Sequence, residues 1–205
     1  MMRNNGSSHP PQIDLQQVVA GRFKESMEVP EAFFSREAEN IAQACWAMAR
    51  RFHQGGRLIA FGNGAWASDA QHVSVEFVHP VIVGKRALPA IALTSDSPLL
   101  SGQSVGMPFA RQLAVLAQAQ DIALGFSQHG LEDNILAAFG QAKEMGLLTL
   151  GMTGKRSGNL ADAGLDFLFA AGGSDALVVQ EVHETLYHIL WELVHIFLEN
   201  EGLLV

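Results

Sequence analysis

The feature that most constrains this chain is a repeated change of period. Five short apolar runs, at residues 57–61, 88–93, 121–126, 147–152 and 165–170, are uncharged across their cores. The intervening segments 67–78, 108–119 and 131–145 are spaced as helices, and a long helix over 175–199 closes the chain. An apolar run of this length reads as a strand buried on both faces. Strands of that kind alternating with helices give a parallel sheet with helices on both sides. The chain is therefore expected to be α/β.

Ahead of the first strand, residues 1–12 are polar, carry Pro10 and Pro11, and read as a flexible tail. Residues 13–27 are expected to form a short helix with Ile13, Val18, Val19 and Phe23 on its apolar side, and Pro30 is expected to break the chain. Phe34, Ala38, Ile41, Cys45, Met48 and Phe52 then step by four and three residues, one helical stripe, and Gly55-Gly56 ends it. His53 falls at the helix C-terminus, where a positive charge is favoured. With no internal repeat and no linker, residues 13–205 read as a single domain with an N-terminal helical segment.

Composition narrows the function. The net charge of −8 and the lack of a Lys/Arg run argue against nucleic acid as a partner. Cys45 is the only cysteine, so no intrachain disulfide and no Cys-based zinc site can form. The N-terminus lacks the apolar run of a secretory signal. The most apolar stretch, 176–198, is interrupted by Glu181, His183, Glu184, His188, Glu192 and His195, so no membrane helix is expected. These features suggest a cytoplasmic protein.

In a parallel sheet, ligands bind beyond the carboxyl ends of the strands. The turns at 62–66 and 127–132 lie there, each ahead of a helix N-terminus whose free N–H groups favour anions. His72 and Glu76 are four residues apart on one predicted helix. Such a pair can share a metal, divide proton-transfer work, or be a surface pair making a weak hydrogen bond. On the closing helix, Val182, Leu186, Ile189, Leu193 and Ile196 form the expected core stripe. Gln180, Glu184, His188, Trp191 and His195 fall opposite, flanked by Tyr187 and Val194, a face suited to another subunit or to a site, or else an outer face with a stray tryptophan. Gln180 and His188 are ~12 Å apart along a straight helix, so one metal could join them only from between.

Four segments resemble the phosphoheptose-isomerase branch of the sugar isomerase (SIS) family. They are Gly62-Asn-Gly64 with Asp69-Ala-Gln-His72 and Glu76, Leu88-Pro-Ala-Ile-Ala-Leu93, Thr149-Leu-Gly-Met-Thr-Gly-Lys155, and Gln180-Glu-Val-His183 followed by His188. They occur in family order over residues 31–198. The resemblance implies a three-layer αβα sandwich with a flavodoxin-like sheet, a homotetramer with sites between subunits, and aldose–ketose isomerisation of sedoheptulose 7-phosphate. It implies Glu76 as the carbon base and His188 as the acid/base on oxygen. It also implies one zinc per chain, on His72, Glu76, Gln180 and His188, and substrate contacts from Asn63, Gly64, Trp66, Asp96, Ser127, Gln128, His129, Glu132 and Gln180.

The departures from the family fall on phosphate-binding positions. Where the family's second phosphate loop reads Ser-Thr-Ser-Gly-Asn-Ser, this chain has Ser127-Gln-His-Gly-Leu-Glu132, and Trp66 replaces a serine in the first loop. Glu132 at a helix start can take the N–H groups a phosphate would use, and it repels a phosphate; Asp133 adds charge of the same sign. Retained Glu76 and His188 favour an aldose–ketose isomerase acting on a sugar or sugar phosphate, either sedoheptulose 7-phosphate or a shifted substrate. A non-catalytic sugar- or metal-binding SIS adaptor is the main alternative, and a metallo-site with lyase or hydrolase activity is a third.

Overall fold

The computed structural model describes residues 13–94, 107–155, 158–173 and 175–204. In chain order the elements are α1 (Leu15–His53), β1 (Leu58–Gly62), α2 (Ala65–Val78), β2 (Ala90–Ala92), α3 (Pro108–Leu116), β3 (Ile122–Ser127), α4 (Asp133–Glu144), β4 (Leu148–Thr153), the short α5 (Asn159–Asp162), β5 (Phe167–Ala170) and α6 (Ala176–Glu199). A 3-10 turn, Glu201–Leu203, follows. The five strands pair in parallel in the order β2-β1-β3-β4-β5. Chain direction across the sheet reverses between β1 and β3, so the crevice beyond their carboxyl ends is the expected ligand position.

Side chains alternate across the sheet. Leu58, Ala60, Ile122, Leu124, Phe126, Leu150 and Met152 face a core shared with α1, α2 and α6. Ile59, Phe61 and Ala123 face the opposite core with α3, α4 and α5. That second layer packs closely: Phe61 meets Phe139 edge-on at 5.2 Å, and a Cβ on Gly125 would come within 2.5 Å of the Phe139 ring. The start of the sheet is tied by buried Asp121, which accepts hydrogen bonds from the Arg57 and Gln118 backbone N–H groups at 2.8 and 2.9 Å and from the Arg57 guanidinium at 2.9 Å.

Three sequence expectations are corrected. Pro30 does not break the chain: it lies inside α1, a single helix of 39 residues capped by Asp14. Proline removes one backbone donor, and packing against α6, reinforced by the Arg22–Glu181 ion pair at 2.8 Å, carries the helix through it. The α1 stripe is rotated, with Phe33 and Glu37 buried and Ala38 exposed. On α6 the core likewise runs through Val182, Leu186, Leu190 and Val194 with Tyr187 and Trp191, while Ile196 is exposed. His195 is buried because the segment before β2 crosses that end of the helix. Its ring nitrogens lie 2.8 Å from the Trp191 carbonyl and 2.9 Å from the Arg86 carbonyl. Among the described residues, no helix is long and apolar enough to cross a membrane.

Candidate active site

The turn after β1 positions the first group of residues. Gly64 takes φ 55°, a conformation that suits glycine, and Gly62 lies so close to the next turn that a Cβ there would meet the Trp66 carbonyl at 2.6 Å. The chain thus turns sharply into α2, which carries Asp69, His72 and Glu76. Trp66 is buried against the His183 ring, 5.2 Å between centroids.

His72 is the hub. Its Nε2 lies 3.3 Å from Glu76, and its Nδ1 lies 2.8 Å from the Tyr187 hydroxyl and 3.7 Å from Glu184. The His188 ring stands at 5.3 Å, steeply inclined to it. Ligand atoms of His72, Glu184 and His188 all lie within 4.8 Å of one another. Glu76 is largely buried, and the cleft in front of it, about 370 Å³, is lined by His72, Glu76, Val81, Ile82, His188, Trp191 and Glu192.

Gln180 points elsewhere, donating to Asp69 at 3.0 Å. Asp69 is buried, and burial pushes its carboxyl up to about 6; Glu184 adds to the rise, while the Gln180 bond and His72 oppose it. Burial also raises the Tyr187 hydroxyl, helped by the carboxylates of Asp69, Glu184 and Glu76, so it stays protonated and can donate to His72. His183 lies fully buried, and among the described residues neither ring nitrogen has a hydrogen-bond partner. Burial pushes it down to about 4, opposed by the nearby Thr153 backbone.

The turn after β3 is filled from within. The Ser127 hydroxyl accepts from the Gly130 N–H at 2.6 Å and donates to the Glu132 carboxylate, which also accepts from the Leu131 N–H at 3.1 Å. Burial pushes the Glu132 carboxyl up, but the Ser127 hydroxyl and the backbone of Glu132, Leu131 and Gln128 outweigh it, and the group ends below its ordinary range. Glu132 is the N-cap residue of α4, but its side chain makes no capping bond to the helix and turns back into the loop. Across the crevice, Asn63 and Asn134 exchange paired amide hydrogen bonds at 3.0 and 2.8 Å. Gln128 and His129 line a separate cavity of about 30 Å³ with Gly154, Lys155 and Val179.

A sequence profile described as SIS domain matches residues 23–154. This chain belongs to the SIS domain family. Among similar proteins, a phosphoheptose isomerase of Desulfovibrio desulfuricans is 34% identical over 185 residues, covering 88% of each chain. One from Aquifex aeolicus is 35% identical over 176 residues, 84% of this chain and 92% of its own. The solved phosphoheptose isomerase of Neisseria gonorrhoeae superposes with TM-score 0.80 at 29% identity, covering 88% of this chain and 98% of that one. That of Francisella tularensis gives 0.83 at 25% identity, covering 89% and 99%.

Within this SIS domain the sheet brings together His72, Glu76 and His188, which the sequence singled out. It sets Gln180 beside Asp69, and it places Asn63, Gly64, Trp66, Ser127, Gln128, His129 and Glu132 in the two turns. Asp96 lies outside the described residues. Four contributors were given no site role of their own: Glu184 and Tyr187 were placed only on a helix face suited to a subunit or a site, and Asp69 and Asn134 were assigned none. Glu184 was findable, since it stands midway between Gln180 and His188 on one helical face. Asn134 was not, because its pairing with Asn63 spans 71 positions.

Proposed function

We propose that this SIS domain is an aldose–ketose isomerase acting on a sugar or sugar phosphate of the sedoheptulose 7-phosphate type, with Glu76 and His188 carrying the proton transfers. The observation that supports this best is the convergence of Glu76, His72 and His188 on one cleft between α2 and α6, in a chain similar over most of its length to phosphoheptose isomerases. Moving a carbonyl between C1 and C2 requires a proton to leave one carbon and return to its neighbour through an enediol. Glu76 is a carboxylate at the floor of the cleft and is the carbon base. His188, exposed at the rim, exchanges the proton on the oxygens. Tyr187 and Glu76 bracket the His72 ring and fix its orientation. Asp69 holds Gln180 and is a positioning residue. Substrate contacts fall to Asn63, Gly64, Trp66, Ser127, Gln128, His129, Glu132 and Gln180, with Asp96.

The donor set suits a divalent metal such as zinc: two imidazoles and a carboxylate have ligand atoms within 4.8 Å of one another. His72 and His188 would hold it, with Glu76 and Gln180 by family resemblance and Glu184 by proximity. When bound, such an ion would polarise the substrate's carbonyl or hydroxyl oxygens. A cytoplasmic homotetramer is the assembly we infer. Its support is the exposed apolar face on the first turns of α1, where Leu15, Val18, Val19, Phe23 and Met27 are each at least half exposed. We assign the SIS domain, with its helical N-terminal segment, to residues 13–205.

The test is interconversion of sedoheptulose 7-phosphate, and of unphosphorylated sedoheptulose, with their aldose isomers. Wild-type protein should turn over at least one pair, and Glu76→Gln should lower kcat by about 100-fold or more. Equal turnover by the variant would remove Glu76 from the chemistry. Lack of turnover of either sugar, with a partner protein retained by Glu76→Gln, would favour the adaptor reading.

A further inference from the structure

We propose that Glu132 is a resident anion in the turn after β3 and limits this site to sugars whose end remote from the reacting carbonyl is uncharged. The inference rests on the isomerase reading above for the reacting end of the substrate, and on separate residues for the remote end.

The turn lies beyond the carboxyl end of β3, next to the β1 turn that leads into Asp69, His72 and Glu76. On this reading the far end of a sugar with its carbonyl at Glu76 reaches this turn. An anion bound there would use the Ser127 hydroxyl and the loop N–H groups. The Glu132 carboxylate already takes the Ser127 proton and the Leu131 N–H, and Ser127 in turn accepts from Gly130, so the hydroxyl is used in both directions. A phosphate taking those groups would have to displace Glu132, and the displaced carboxylate would remain beside it, with Asp133 one residue on.

A second, independent contact closes the same crevice. The Asn63 amide, at the tip of the β1 turn, is committed on both its oxygen and its nitrogen to Asn134 in the first turn of α4. Among the described residues, the nearby cations do not offer an alternative seat. Lys155 and His129 face a cavity of about 30 Å³, room for a water or two and too small for a phosphate group. A hydroxyl-bearing end has different needs: it can donate to the free lone pairs of the Glu132 carboxylate without charge repulsion. The ligand class is therefore a neutral polyol aldose or ketose.

The experiment compares kcat/KM for sedoheptulose and sedoheptulose 7-phosphate in the wild-type protein, in Glu132→Ser and in the near-isosteric Glu132→Gln. It also measures inorganic phosphate binding to each by calorimetry. The expected result is a wild-type preference for the unphosphorylated sugar, and a phosphate-to-neutral ratio raised about tenfold or more in a variant, since unit charges a few ångströms apart repel by at least that factor. A wild-type preference for the 7-phosphate overturns the proposal, as does an unchanged ratio in both folded variants. The calorimetric arm needs no turnover. If neither sugar reacts, the isomerase reading fails, and the role of Glu132 is still decided: a gain of about tenfold in phosphate affinity on its removal supports it, and equal affinity overturns it.

Discussion

His183 makes a demanding test of the fold around the site. It sits fully buried between Trp66 and Phe126, and among the described residues neither ring nitrogen has a hydrogen-bond partner. Burial holds its pKa near 4, against 6.5 for the ordinary side chain, with only the Thr153 backbone pulling the other way. Because the folded value is depressed, the unfolded chain takes up a proton first as pH falls. The folding contribution of neutral His183 is complete above about pH 6.5 and is lost progressively between pH 6.5 and 4. A displacement of that size corresponds to about 3 kcal/mol, a large share of the ~5–15 kcal/mol that typically separates folded from unfolded states. Replacing His183 with Phe keeps an aromatic ring against Trp66 and removes the titration. The larger ring adds a packing cost of about 1–3 kcal/mol that does not vary with pH. The assay is urea unfolding of wild type and His183→Phe at half-unit steps from pH 4 to 7.5. The difference between the two curves cancels the carboxylates common to both. Relative to wild type, the variant should gain about 3 kcal/mol on going from pH 7.5 to pH 4. Parallel curves would show that His183 is hydrated or hydrogen-bonded, and the reasoning would fail.

Further consequences follow from single contacts. Tyr187→Phe removes the hydroxyl 2.8 Å from His72 Nδ1, and should cost about 1 kcal/mol of stability and lower kcat more than it raises KM, measured by unfolding and steady-state kinetics. Gly125→Ala places a methyl within 2.7 Å of both Phe139 and Phe61, and should destabilise by about 1–3 kcal/mol in thermal melts. Asp121→Ala strands the Arg57 and Gln118 backbone donors and should cost about 2–4 kcal/mol in urea unfolding. By elemental analysis wild type should hold about one zinc ion per chain, and a His72→Ala, His188→Ala double variant should hold none.

The sheet was legible because its strands are continuous apolar runs, fully buried in β1, β3 and β4 and partly exposed in the edge strands β2 and β5; all five occur where those runs stand, with ends shifted by at most two residues. The helix faces were less legible. On α1 and α6 the apolar stripe is broad, and two adjacent rows satisfy a helical period almost equally well. Packing then selected Phe33 over Ala38, and Leu190 and Val194 over Ile196. Pro30 misled for a related reason: the local loss of one hydrogen bond was outweighed by contacts with a helix that begins about 146 residues later in the chain. At the site, His72, Glu76 and His188 were readable from spacing and from family resemblance. The partners that tune them were not, because Asp69 with Gln180, and Asn63 with Asn134, meet only once the sheet has assembled. Glu132 shows both sides of this. Its charge and place at the head of α4 were plain in the sequence, while its turn away from the helix toward Ser127 depended on the loop conformation.

The central claim is that Glu76 moves a proton on carbon. Its most direct measurement is incorporation of solvent deuterium at the carbon next to the substrate carbonyl, followed by NMR in D2O with sedoheptulose and its 7-phosphate. Wild-type protein should label that carbon in at least one of the two sugars, and Glu76→Gln, folded and of unchanged secondary structure, should not. Labelling at the wild-type rate by Glu76→Gln, or no labelling of either sugar by wild type, would contradict the account.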